Sequence, residues 1–424
     1  EERSSLRRPF PTDMQSDKTK SKSSLLIIFF TVFIDLVGFG IIIPVLQPYA
    51  RLYGATDFQA GLLVGTFSAI QFFVIPIWGW LSDRFGRKPI VLAGLLGTSL
   101  SYLVLAVAPN LATLFVGRIL AGLFAGNLVA AQAYIADVTP PENRAHGMGL
   151  IGVAFGLGFI LGPVIGGILS HYSFSHPSYA AAIASGLAFL FGLTELRESL
   201  PPEKRPKHAP LRHPILNVSH VTSDKLVFRV ILANFFFVTA FAMWDTVFVL
   251  FVGNHILTGL SETQLSRKVG YLIAFAGLVS ALIQGGAIRP LVKRYGEKNL
   301  VQAGFILQIA GCLGFLGLTF WGGTQSSMSL IPLLILIGIG SGLSNPTLIA
   351  MASKLAHPER QGEVLGAFRG IGSLARAVGP LCGAFLFGKV SQASPYAAGA
   401  VLLMVSAMLL WGRFEYYQSS PSDE

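Results

Sequence analysis

Apolar runs of about 20 residues recur along almost the whole of this chain, and a run of that length crosses a hydrocarbon core about 30 Å thick. Twelve can be placed, over residues 25–46, 58–81, 90–109, 112–136, 147–170, 178–197, 227–252, 268–288, 299–321, 328–350, 363–388 and 394–413. Inside lipid each must satisfy its own backbone hydrogen bonds, so each is expected to be a helix. Charge content agrees: 12% of the 424 residues are charged, about half of what a soluble domain carries, and mean hydropathy is +0.62. These features predict an all-α polytopic membrane protein. A formal net charge of +10 could suggest nucleic acid. The basic residues sit in short connections rather than on one face, however, which fits a bilayer surface and no nucleic acid. Cys312 and Cys382 both fall inside apolar runs, so no disulfide framework is expected.

An even number of spans leaves both termini on one side. About 24 of the 31 Lys and Arg fall in the tails and even-numbered connections, against about four in the odd-numbered ones. The positive-inside rule then puts both termini in the cytoplasm. Residues 1–24 are polar, mixed in charge, and read as a disordered cytoplasmic tail in which Met14 could be the start. Residues 198–226 hold several prolines and histidines with Lys204, Arg205, Lys207, Arg212 and Lys225. They read as a cytoplasmic linker between six-span units at 25–197 and 227–413, with a second tail at 414–424. The two units echo each other. Asp83-Arg84-Phe85-Gly86-Arg87-Lys88 recurs 210 residues later as Lys293-Arg294-Tyr295-Gly296-Glu297-Lys298. Pro141-Glu142, Gly149, Gly162-Pro163 and Gly166 recur 217 residues later as Pro358-Glu359, Gly366, Gly379-Pro380 and Gly383. A half-chain period carried by turn and packing residues predicts two pseudo-symmetric six-helix bundles.

Between the second and third spans lies Gly79-Trp80-Leu81-Ser82-Asp83-Arg84-Phe85-Gly86-Arg87-Lys88-Pro89. It reads as a short charged loop, with glycines that permit a tight turn and charges that can pair with neighbouring helix ends. G-x-x-x-D-R-x-G-R-K in that slot resembles the signature loop of the major facilitator superfamily. The fourth span carries Arg118-x-x-x-Gly122-x-x-x-Gly126, then Asn127, Gln132 and Asp137; the fifth carries Gly158-x-x-x-Gly162-Pro163-x-x-Gly166-Gly167. Glycines four apart let another helix approach closely. Both patterns resemble the superfamily's motifs for these positions, the fifth-span pattern being the one associated with antiporters.

The resemblance narrows in the first half. Residues 25–200 are similar to the drug/proton antiporter branch, above all to tetracycline/proton antiporters, through FIDLVGFGIIIPVLQPYA, GWLSDRFGRKP, GRILAGLFAG and AYIADVTPPENRAHGMG. The second half departs: Ser280 and Gln308 stand where that family carries a histidine and an aspartate that handle protons and metal–drug complexes. Their replacement speaks against a metal–tetracycline substrate. The eleventh-span string GAFRGIGSLARAVGP instead resembles the tetracycline-transporter-like vertebrate proteins and their bacterial relatives, some of which are associated with organic anions.

Asp35 lies about ten residues into the first span, with no charge within a helical turn. An isolated carboxylate at that depth keeps its proton, whereas a nearby cation lets it ionise, and a group poised between those states suits proton coupling. The resemblance places the antiporters' first-span acid at the same position. The alternative is a fixed ion pair with Arg118, which needs an acidic partner inside the bilayer. Asp245 is the second-half candidate unless it is solvated near the outer leaflet, and Asn234 lies three turns earlier on its face.

Arg369 and Arg376 are seven residues apart, hence on one face of the eleventh helix. Their counterparts in the repeat are Gly152 and Phe159, so the shared scaffold does not require arginine there. A guanidinium keeps its charge when buried. Each therefore needs an anion, either a protein carboxylate such as Glu363 or a substrate. Gln71, Gln284, Gln308 and Asn345 are expected to line a cavity between the halves. Asp137 is expected to pair with Arg84 or Arg87 beside Asp83, as a gate that holds the halves closed on that side.

Together these readings predict a twelve-helix bundle around one midplane site exposed alternately to each side. The expected activity is proton-coupled export of amphiphilic small molecules, organic anions above cations, from a bacterial inner membrane. No cofactor or metal is expected, the partners are a small-molecule substrate, protons and the bilayer, and the chain is expected to work as a monomer. A metabolite importer or symporter, or a flippase for a lipid or lipid-linked sugar, would use the same fold. An enzyme is not expected: GIGSG at 338–342 lies in an apolar run without a preceding strand or a P-loop lysine.

Overall fold

The computed structural model describes residues 11–139, 144–205, 224–320, 327–357 and 360–412. Ten helical segments are long and apolar enough to span a membrane: Leu25–Ile42, Asp57–Phe85, Arg87–Ala106, Leu111–Val138, Gly149–Leu169, Ser175–Glu195, Lys225–Ile256, Glu262–Phe320, Ser327–Leu355 and Glu363–Val390. The segment Glu262–Phe320 has 59 residues, roughly three bilayer cores long at about 1.5 Å per residue, and it breaks at Gly296. Taken as two passes, and with the shorter helix Ser394–Leu409, the described segments make twelve. They are numbered below as spans 1–12, with spans 8 and 9 on either side of Gly296.

Several boundaries differ from those expected, for local reasons. The chain from Gly79 to Pro89 is not a loop. Span 2 stays helical to Phe85, span 3 starts at Arg87, and Gly86 alone makes the turn at φ 104°. A side chain would be strained at that φ, and a Cβ would also lie 2.4 Å from a Glu198 carboxylate oxygen. Gly296 repeats the device at φ 74°. The first helix runs from Pro11 to Ile42, so residues 11–24 continue it instead of forming the expected disordered tail; nothing in that stretch obliges a helix to stop at a membrane surface. It ends before Pro44, and a separate short helix, Leu46–Leu52, leads to span 2. Most of the expected linker, residues 206–223, and the tail from 413 onward lie outside the described residues.

The glycine patterns act as seams. Gly158, Gly162 and Gly166 of span 5 lie against Leu36, Gly40 and Ile41 of span 1, where a Cβ on Gly166 would come within 2.0 Å of the Ile41 carbonyl. The repeat positions do the same in the second half: Gly379 and Gly383 of span 11 lie against Thr239, Ala242 and Met243 of span 7. Gly122 and Gly126 of span 4 admit Ile70 and Trp78 of span 2. Close backbone approach of this kind drives association where lipid is as apolar as the side chains.

The halves meet along two further seams, span 2 against span 11 and span 5 against span 8. Gly61 and Gly65 meet Ala384, Pro380 and Leu381, while Pro163 and Gly167 meet Gly270 and Arg267. All these contacts lie toward the end of the bundle away from the Gly86 turn. Toward that turn, Gly149, Gly152 and Gly156 of span 5 and Gly285 and Gly286, in the π-helical turn Ile283–Ala287 of span 8, have open space beside them. The halves therefore close on one face and part on the face bearing Gly86.

Gly166→Ala is expected to lower stability by roughly 1–3 kcal/mol, because the methyl meets backbone. Gly149→Ala, beside open space, should change it by less than about 0.5 kcal/mol. Thermal unfolding of the two variants in one detergent checks the contrast, and equal melting points would refute the seam.

Candidate functional site

Asp35 of span 1 is held by two neutral donors. The Asn127 amide donates to one carboxylate oxygen at 2.6 Å and the Ser185 hydroxyl to the other at 2.8 Å. Asn127 reaches it because span 4 is broken there into Leu111–Phe124 and Asn127–Val138. The break is stabilised locally: the Trp78 indole donates to the freed Leu123 carbonyl at 2.6 Å, and the Asn127 side-chain oxygen accepts from the Leu128 N–H at 2.8 Å. Gly126 is required beside it, since a Cβ would lie 1.9 Å from the Trp78 ring. A cavity of about 20 Å³ adjoins the carboxylate, lined by Thr31, Asn127 and aliphatic side chains, room for one water molecule. A serine hydroxyl can turn from donor to acceptor. The site can thus receive either the carboxylate or the carboxylic acid.

Arg118 does not reach Asp35. It is buried, 4% exposed, with its Nε donating to the Leu63 carbonyl at 3.4 Å and its guanidinium 4.6 Å from the Phe67 ring centre. Among the described residues no carboxylate lies within ion-pairing distance of it, so the expected acidic partner is replaced by a carbonyl and an aromatic face. The fixed Asp35–Arg118 pair is absent from this structure.

At the Gly86 turn, Arg87 binds Asp83 at 2.5 Å, Asp137 at 3.0 Å and the Ser82 hydroxyl at 3.1 Å. Asp137 also accepts from Ser199 at 3.0 Å. Glu198 accepts the backbone N–H groups of Arg87 and Lys88 at 2.8 and 3.3 Å, capping span 3 from a distant part of the chain. Arg84 is elsewhere, over the Trp80 ring at 5.2 Å. The pairing of Asp137 with Arg87 is present, but its expected role as a gate between halves does not fit this geometry. Every partner belongs to the first half, and the cluster is formed while the halves stand apart on this face. In the second half Lys354 pairs with Glu297 beside the Gly296 turn.

The polar contacts that do cross between halves lie on the opposite face. Arg51 donates to Asp57 at 2.6 Å and to Asn254 at 2.7 Å, and Asn254 donates to Asp57 at 2.9 Å, closing a triangle. Gln47 donates to the Thr246 carbonyl at 2.6 Å and Ser266 to the Pro44 carbonyl at 3.0 Å. None of these groups was singled out from sequence. The one available signal was Arg51, a cation in an odd-numbered connection just before Asp57.

Arg369 and Arg376 of span 11 are both exposed and face the parted region. Their strip runs between Pro380 and Ala384, which meet span 2, and Gly372, Gly379 and Gly383, which meet span 7. Neither guanidinium has a carboxylate within ion-pairing distance among the described residues, because Glu363 is taken by Arg360 at 3.2 Å. Asn234 donates to the Phe368 carbonyl at 3.3 Å. A Cβ on Gly372 would lie 3.2 Å from the Asn234 amide nitrogen and 3.9 Å from the Arg376 guanidinium, so glycine lets Asn234 pack close against the backbone of span 11. Gln284 is exposed and bonds Ser280 at 2.9 Å, Asn345 is exposed, and Gln71 is half-buried one turn below Phe67. Gln308 corrects an expectation: it is 2% exposed and bonds Gly304 and Ser344 at 3.3 Å, packed between spans 9 and 10 away from the cleft. Asp245 is half-buried beside Thr246, on the closed face and more than two turns of span 7 beyond Asn234.

The family profile described as Major Facilitator Superfamily matches residues 28–380 and 324–422. The chain belongs to the major facilitator superfamily. It has the superfamily's all-α membrane fold and is an integral membrane transporter. It is 34% identical over 366 residues to the tetracycline resistance protein, class C, of Escherichia coli, covering 85% of this chain and 89% of that one. Multidrug resistance protein 2 of Bacillus subtilis (strain 168) is 28% identical over 380 residues, covering 88% and 91%. The crystal structure of the human organic anion transporter MFSD10 (TETRAN) superposes with a TM-score of 0.69 at 26% identity, over 92% of this chain and 99% of that one.

For this superfamily member, Asn254→Ala removes the second half's contribution to the Arg51–Asp57–Asn254 triangle. Loss of hydrogen bonds to charged groups is worth roughly 1.5–3 kcal/mol, so the closed face should open about 10- to 150-fold more often. Spin-label distances across that face should broaden toward longer values, and an unchanged distribution would refute the latch.

Proposed function

We propose that the chain is a proton-coupled exporter of amphiphilic organic anions in a bacterial inner membrane, with both termini cytoplasmic. The observation that carries this reading is Arg376, a guanidinium deep in a spanning helix, exposed to the cleft and without an ion-paired carboxylate among the described residues. A permanent charge at that depth is costly unless an anion arrives to meet it. The resemblance to the human organic anion transporter supports the same substrate class. Likeness to the tetracycline and multidrug resistance proteins supports export.

Alternating access is the mechanism this reading requires. The cleft is open on the Gly86 face and closed by the Arg51–Asp57–Asn254 triangle on the other. An anion enters from the cytoplasm and meets Arg376 and Asn234; the halves then rock, the triangle parts, and the anion leaves outward. Asp35 carries the proton inward. Its partners Asn127 and Ser185 lie on spans 4 and 6, so a change in its charge acts on the break in span 4. The direction is favourable, since an outward anion and an inward proton each gain about 2.3 kcal/mol per 100 mV across an inside-negative membrane.

In vesicles containing the purified protein, a proton gradient should drive labelled organic anion against the proton flow. Asp35→Asn should cut gradient-driven accumulation at least about tenfold while leaving anion–anion exchange in place. Arg376→Ala should weaken anion binding by at least about 30-fold, the lower end of the roughly 2–5 kcal/mol scale for a desolvated charge contact. Full gradient-driven accumulation by Asp35→Asn would sink the coupling role, and unaltered anion binding by Arg376→Ala would sink the anion site.

A further inference from the structure

Resting on the anion reading above, we infer that Arg369 and Arg376 form one two-point site whose preferred ligand is an elongated dianion, an amphiphile with an acidic group toward each end. The two arginines lie seven residues apart on one strip of the unbroken helix Gln361–Phe385. Two turns separate their backbone positions by about 10 Å. Both side chains are exposed on the cleft side, and the one carboxylate on that helix, Glu363, is engaged by Arg360. Two like charges on one helix face raise each other's energy, and a ligand with one acidic group relieves only one of them.

The surroundings of the two ends differ. At the inner end Arg376 is joined by Asn234, which is buried and whose amide donates to the Phe368 carbonyl. Gly372 lets both side chains come close to the helix backbone there. An acidic group on the exposed guanidinium of Arg376 therefore lies beside a neutral amide dipole. The outer end offers Arg369 alone. Between them the helix presents the small, half-buried Ser373, so an apolar chain can lie along the helix while its ends are held.

The test uses the full-length protein in detergent and measures binding of straight-chain α,ω-dicarboxylates of increasing length, each beside its monomethyl ester. The expected result is a length optimum near a span of about 10 Å, with the diacid there bound at least about tenfold more tightly than its monoester. Arg369→Gln should bring the ratio of diacid to monoester affinity down to about one and erase the length optimum, with the melting temperature reporting an intact fold. Arg369→Lys should restore part of the diacid preference. Diacids and monoesters binding alike at every length, with both lost in Arg376→Ala, would overturn the two-point site while leaving the single anion site intact. Binding that is absent throughout, or indifferent to Arg376→Ala, would overturn both.

Discussion

Backbone-to-backbone contact is what holds these helices together. In lipid an apolar side chain gains little by leaving hydrocarbon for another helix, so association depends on dispersion contacts at short range and on the few polar groups that find partners. The seam of Gly158, Gly162 and Gly166 against Gly40 and Ile41, and the matching seam of Gly379 and Gly383 against span 7, supply that contact inside each half. Between halves the glycine contacts stop partway down spans 2, 5, 8 and 11. The cleft exists because those seams are short.

Polar groups are distributed to match. Three kinds of site share the bilayer region and each is satisfied differently. Asp35 has two neutral donors and a water-sized cavity, which suits a group that changes its protonation state. Arg118 is enclosed by a carbonyl and an aromatic ring, which suits a charge that never changes. Arg369 and Arg376 are exposed and have no ion-paired carboxylate among the described residues, which suits a charge that meets something mobile. The same residue type thus plays opposite parts on spans 4 and 11 because only one of those surfaces faces the cleft.

Apolar membrane-spanning helices, the half-chain period and the special glycines were legible in the sequence, since each depends on composition and spacing alone. Which face of a span looks inward was much less legible. A helix that is apolar all round carries no amphipathic stripe to orient it, and Gln308, polar in an apolar span, turned out to bridge spans 9 and 10. The Gly79–Pro89 stretch misled in another way: its charges suggested a loop, yet charged side chains extend helices readily and Gly86 alone was needed to turn. Glu198 was invisible because it acts 111 residues from the amide it caps. The triangle on the closed face combines residues some 200 positions apart, a pairing that spacing within one helix cannot reveal.

The two turns share their glycines but not their charges. Where the first half sets Arg87 against Asp137, the second sets Glu297 against Lys354, at the repeat positions 210 and 217 residues on. The polarity of the pair is reversed. A turn that strayed to the wrong half would bring Arg87 up to Lys354, or Glu297 up to Asp137, and meet repulsion in place of a bridge. In a chain built from two similar units that must each fold within a crowded membrane, this reversal works as a label, telling each turn which bundle it belongs to.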